Sequence, residues 1–68
     1  MSASNYVHLD NCDVIRETEN AFLIRYEGEE IWIPRSQLAD ADDYAAGDED
    51  VTLSVTEWIA KQKGIEVD

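Results

Sequence analysis

Residues 21–36 read AFLIRYEGEEIWIPRS, and this stretch decides the fold. Two apolar-rich runs flank Glu27-Gly28, and a tight hairpin needs Gly where φ must turn positive. With those two residues as the turn, Ile24 faces Ile31 and Phe22 faces Ile33. On the opposite side Leu23 faces Trp32, and Arg25 meets Glu30 as a complementary charge pair. A four-residue turn keeps these faces, whereas a three-residue turn flips one strand's apolar set outward. Pro34 has no amide donor and belongs near the end of its strand.

Working outward toward the N-terminus, CDVIRET (residues 12–18) reads as a strand joined to the hairpin by a turn at Glu19-Asn20. That register sets Ile15 opposite Ile24 and Arg16 opposite Leu23. Ile15 then joins the face of Phe22, Ile24, Ile31 and Ile33, and Val14 falls on the face of Leu23 and Trp32. Residues 1–8 read as a frayed end that adds a few strand residues from Tyr6 to Leu9. Asp10-Asn11 is a turn signal.

Toward the C-terminus, SQLA (residues 36–39) looks like one helical turn capped by Ser36. DADDYAAGDED (residues 40–50) carries six acids and no base, and reads as a solvated loop. VTLSV (residues 51–55) alternates as a strand, with Val51, Leu53 and Val55 inward. TEWIAKQK (residues 56–63) reads as a short helix. Ser54 with Glu57 forms a potential capping box, and Thr56 is the competing cap. Lys61 and Lys63 suit the helix C-terminus, and Gly64 suits the left-handed stop. Trp58, Ile59 and Ile65 are expected to cover an open face of the sheet, with both tryptophans at the core or its edge. The fold expected is α+β, mainly β: a strongly curled antiparallel sheet or SH3-like barrel of four to five strands with one C-terminal helix, in a single domain over residues 1–68.

A chain of 68 residues buries only about 60% of its unfolded surface, so its core is small. The lone cysteine, Cys12, excludes an internal disulfide and fits a reducing, cytoplasmic setting. The first residues have neither the basic nor the apolar segment of a secretory signal. No apolar run approaches the ~20 residues of a membrane span.

Reaction chemistry has little to work with. His8 and Cys12 are four apart, but no second His or Cys completes a transition-metal site. Laid on the EF-hand pattern from Asp40, the loop places Asp42 well but puts Tyr44, Ala45 and Val51 where ligands or Gly are required. Cys12 lies between Asp10 and Asp13, which raise a thiol pKa and blunt its reactivity. Carboxylates on a polar loop lack the apolar pocket that separates acid from base roles. No metal, cofactor or enzymatic activity is expected.

Charge is the outlying property. Sixteen acids against five bases give a formal net charge of −11. Such a balance repels nucleic acid and anionic lipid and favours a basic partner surface, although solubility alone also accounts for many acidic domains. Direct nucleic-acid binding is not expected, because base stacking by Trp32, Tyr26 or Tyr6 requires a positive groove. A 68-residue globule is roughly 28 Å across, and duplex DNA of that length carries roughly 16 charges. The loop acids Asp40, Asp42, Asp43, Asp48, Glu49 and Asp50, with Glu29 and Glu30 at the hairpin tip, are the candidate partner-binding residues. Tyr44 is a candidate anchor at the loop's middle.

EEIWIPRSQL (residues 29–38), TEWIAKQKG (residues 56–64) and RETENAFLIRY (residues 16–26) resemble a group of short proteins encoded by bacteriophages and mobile elements. The resemblance spans about residues 14–65 and brings no catalytic residues with it. A small, strongly acidic protein of this kind is similar in character to anti-CRISPR and anti-restriction proteins that mimic DNA. Those share no fold or motif, so no inhibitor's residues are carried over. The resemblance implies a non-enzymatic inhibitor in the cytoplasm of a bacterial host, monomeric or a small homo-oligomer, blocking the nucleic-acid-binding surface of a defence complex such as a CRISPR effector. The alternative is an accessory or adaptor protein for phage recombination or replication, binding through an apolar patch near Trp32 or an open strand edge.

Overall fold

The hairpin forms in the register its side chains require. In the computed structural model, which describes residues 5–65, strands β2 (Ala21–Tyr26) and β3 (Glu29–Pro34) pair Phe22 with Ile33, Leu23 with Trp32, Ile24 with Ile31 and Arg25 with Glu30. Glu27 and Gly28 form the two-residue turn with φ of 53° and 81°. Two consecutive left-handed residues are what a hairpin turn matched to the strand twist demands, and Gly28 meets that demand without strain. Arg25 and Glu30 close an ion pair of 3.1 Å.

Strand β1 (Tyr6–Glu17) is one long strand that changes partners at a kink. Its first half pairs with β4 (Val51–Thr56) and its second half with β2, giving an antiparallel sheet of order β3-β2-β1-β4. The turn signal at Asp10-Asn11 is therefore a β-bulge within a strand, with Asn11 left-handed at φ 59°. Leu9 and Cys12 are three apart and would face opposite sides of a regular strand. The extra residue brings both inward, and both are fully buried. The strand residues expected from Tyr6 to Leu9 are present, with Tyr6, Val7 and His8 paired to Thr56, Val55 and Ser54, and the expected frayed end does not reach them. Residues 1–4 of that expectation lie outside the described residues.

A second irregularity corrects the expected faces of β1. Arg16 pairs with Leu23 as expected, but Ile24 pairs with Val14, because a bulge at Ile15 absorbs one residue. Val14 is therefore buried in the core, and Ile15 sits beside Leu23 and Trp32 on the outer face. Two adjacent β-branched residues fit either face, and only the bulge selects between them. The core comprises Leu9, Cys12, Val14, Phe22, Ile24, Ile33, Leu38, Leu53, Val55, Ile59 and Ala60.

After β3 the chain makes a 3₁₀ turn (Arg35–Gln37) entered from Pro34, without the side-chain cap expected from Ser36. Leu38 then bridges Val55, and the Ala39 amide donates to the Ser54 carbonyl at 2.9 Å. This short contact ties the chain to the outer edge of β4 but does not close the sheet, so the architecture is a curled open sheet rather than a barrel. Helix α1 (Glu57–Gln62) follows β4 directly, and the Thr56 hydroxyl, not Ser54, accepts from the Ile59 amide at 3.2 Å as its cap. Its far end is a Schellman stop: the Ile65 amide donates to Ala60 and the Gly64 amide to Lys61, with Gly64 at φ 70°.

The tryptophans are not core residues. Trp32 is 43% and Trp58 59% exposed, while Ile59 and Ala60 provide the buried face of α1 and Ile65 packs at the core's margin. On so short a helix the apolar stripe has room for two inward residues, and the small Ala60 takes the place assigned to Trp58. Among the described residues, no helix is long and apolar enough to cross a membrane.

Candidate functional site

The loop that carries most of the acids is a tethered segment rather than a free one. Its middle runs along β1 beyond the end of β4: Val14 donates to the Asp48 carbonyl and Gly47 donates to the Val14 carbonyl, both at 2.8 Å. The Ala46 amide donates to Glu17 at 3.2 Å and the Asp50 amide donates to Asp13 at 3.0 Å. Asn11, at the β1 kink, donates to the Asp50 carboxylate at 2.6 Å. Thr52 donates to the Asp10 carboxylate at 3.1 Å, and the Ala45 amide donates to that of Asp48 at 2.9 Å. Carboxylates thus serve as acceptors for backbone that has no strand partner, which is why the segment is ordered despite its charge.

These bonds divide the expected site. Asp48, Glu49 and Asp50 come together with Asp10 and Asp13 at the β1 kink. The β1–β2 register carries this cluster on toward the hairpin tip, where Glu27, Glu29 and Glu30 stand. The Tyr26 phenol pKa is raised, first by burial, then by Glu27, Cys12 and Asp10. Eight acids therefore gather at one end of the molecule. The cations among them are Arg25, held by Glu30, and Lys63, which lines a groove with Glu27 and Glu29.

Asp40, Asp42 and Asp43 lie apart from that end, on the other limb of the loop around the 3₁₀ turn Ala41–Asp43. Asp42 is fully exposed and 3.7 Å from Arg35. Arg35 is itself committed to Glu17 at 2.9 Å and to the Thr18 carbonyl at 3.1 Å, and lies 4.4 Å from the centre of the Phe22 ring. Tyr44, the expected anchor, is turned inward: its ring packs against the core and its hydroxyl donates to the Thr52 carbonyl at 3.0 Å. Asp10, Asp13 and Glu27 were not among the expected site residues. The turn signal at Asp10-Asn11 marks the kink at which Asn11 holds Asp50, but it does not announce the loop's backbone bonds to β1.

The acids do not converge on a point. Among the described residues, no group of three or more His, Cys, Asp or Glu side chains is arranged to hold a metal ion. The arrangement is a surface of separated, hydrated charges. Such a surface has the chemistry to meet several cations at once.

Cys12 is buried beneath this end, its thiol donating to the Leu9 carbonyl at 3.2 Å. Burial first, then Asp13 and Asp10, push its pKa from the usual 9.0 to about 11. Below pH 9 the folded and unfolded chains both keep the proton. Between 9 and about 11 the unfolded thiol ionises while the folded one largely does not, so stability falls as pH rises, by about 2 kcal/mol at the upper end of that window. Urea denaturation across this range should show the fall, Cys12→Ala should flatten it, and an equal slope in both proteins would contradict the assignment. The raised Tyr26 pKa acts in the same direction, and the Cys12→Ala comparison separates the two.

Comparison with protein-family models, with curated proteins and with solved structures found no match for this chain.

Proposed function

We propose that the chain is a non-enzymatic inhibitor that blocks the nucleic-acid-binding surface of a bacterial defence complex, a CRISPR effector being the leading candidate, by presenting carboxylates where phosphates would lie. The observation that carries this reading is the gathering of Asp10, Asp13, Glu27, Glu29, Glu30, Asp48, Glu49 and Asp50 at one end, where Arg25 and Lys63 are the cations among the described residues. The described residues span 35 × 24 × 17 Å, and duplex DNA as long as the largest dimension carries roughly 20 phosphates. The protein's acids are sparser than that, but they are fixed to a sheet. Association therefore loses less conformational freedom than it would with a flexible acidic tail.

The test is competition. Purified chain, titrated into CRISPR effector complexes bound to labelled target duplex, is expected to displace the duplex in a mobility-shift experiment. An effector panel whose duplex is never displaced, at low salt and with the chain in large excess, overturns the reading.

A further inference from the structure

The outer edge of β3 points to a second binding site, which adjoins the acidic end and shares Glu27, Glu29 and Glu30 with it. In a two-residue hairpin the pair flanking the turn, here Tyr26 and Glu29, exchanges both of its hydrogen bonds, and pairs then alternate. The amides and carbonyls of Glu30 and Trp32 therefore point away from β2, while the Pro34 carbonyl caps the 3₁₀ turn that follows. Among the described residues, no backbone bond between elements uses those of Glu30 and Trp32. The neighbouring edges are treated differently. Leu38 and Ala39 cover β4, and Gly47 and Asp48 cover the second half of β1. Among the described residues, the edge of β3 is left open, with Trp32 exposed upon it.

Both faces flanking this edge are grooved. On the outer face Trp32, Leu23 and Ile15, together with Arg16, Glu17 and Thr18, line a shallow groove of about 400 Å³ whose exposed surface is more apolar than polar. On the other face Tyr26 and Ile31 line one of about 230 Å³, whose rim carries Glu27 and Glu29 against the single Lys63. A strand added beside β3 sends alternate side chains to the two faces. The outer groove suits apolar side chains, and the inner one suits aliphatic stems ending in a cation.

We infer that the β3 edge binds an extended segment of a partner protein in which apolar and basic residues alternate, adding a fifth strand to the sheet. A second copy of this chain is the poorer occupant. Pairing β3 with β3 would bring Glu27 and Glu29 of both copies onto one face, between two proteins of formal charge −11 each. Glutamates and a terminal proline are the residues that keep sheet edges from pairing with themselves, and the same glutamates leave this edge open to a basic strand. The inference does not require that the partner bind nucleic acid.

The probe is a blocked nonapeptide of alternating lysine and valine, with a peptide of the same composition but segregated residues as control. In the Trp58→Phe protein, where Trp32 is the only tryptophan, the alternating peptide should shift Trp32 emission to the blue. It should also slow amide exchange at Glu30 and Trp32 by about tenfold or more. Trp32→Ala should weaken binding by about tenfold. Glu30→Pro removes an outward amide that an edge strand can spare, and should weaken binding comparably. Should that variant misfold, amide exchange in the unaltered protein still decides the matter. Asp10→Lys with Glu49→Lys should leave peptide binding within about threefold, because those residues lie off the edge. Equal binding of the segregated peptide, or no added protection at Glu30 and Trp32 at saturation, overturns the inference. So does protection of those amides that grows with protein concentration alone, which would mark a second copy as the occupant.

Discussion

Replacing Asp10 and Glu49 together with lysine is expected to abolish displacement of nucleic acid from the partner, while the fold survives. Both side chains are exposed and belong to the acidic end. Asp10 gives up only an exposed bond from the Thr52 hydroxyl, and Glu49 makes no side-chain hydrogen bond among the described residues. Surface charges of this kind contribute little to stability. Across an interface the outcome differs, since close charge pairs couple by roughly 1.5–7 kcal/mol. Two reversals at the low end of that range cost about 3 kcal/mol, or roughly 100-fold in affinity. The matched control is Asp42→Lys with Asp43→Lys, which makes the same change in net charge on the other limb of the loop. It should retain affinity within about tenfold, the loss expected from long-range steering alone. Equal losses from both pairs would show that net charge matters and its placement does not.

Phe22→Ala is expected to unfold much of the population at room temperature. Phe22 is the largest fully buried side chain, faces Ile33 across the hairpin and lies under the Arg35 guanidinium. Truncating a buried Phe costs about 3–5 kcal/mol, and loss of the cation–π contact adds about 0.5–1 kcal/mol. A domain of this length has roughly 3–10 kcal/mol in total. Trp32→Ala, although it removes a larger side chain, should cost under about 1 kcal/mol, because Trp32 is 43% exposed at a sheet edge. Urea denaturation of the two variants should rank them in that order. The reverse ranking would mean that Trp32, not Phe22, carries the core.

The hairpin was legible in the sequence because three independent signals agree on one register: the Glu27-Gly28 turn, the alternation on both strands and the Arg25–Glu30 pair. Strand β4, helix α1 and the Gly64 stop were legible for similar local reasons. The faces of β1 were not. Alternation predicts a face only where the strand is regular, and bulges at Asp10-Asn11 and Ile15 each shift the phase by one. The exposure of Trp32 and Trp58 escaped a reading based on residue type, because burial depends on which edges the topology leaves uncovered. The candidate site was half legible. Composition singled out residues 40–50, but the division of their acids between two limbs follows from backbone bonds to Val14, Asp13 and Glu17 that no local pattern announces.

If carboxylates stand in for phosphates, salt must weaken the complex. The decisive measurement is the concentration of chain that displaces half the bound duplex analogue from a captured partner, taken at a fixed, trace amount of that duplex between about 50 and 200 mM salt and corrected for the duplex's own salt dependence. The account predicts that the chain's affinity for the partner falls at least about tenfold over this range, and that the slope shrinks in the Asp10→Lys, Glu49→Lys protein. A partner affinity unchanged across that range, and equal in the variant, would contradict it.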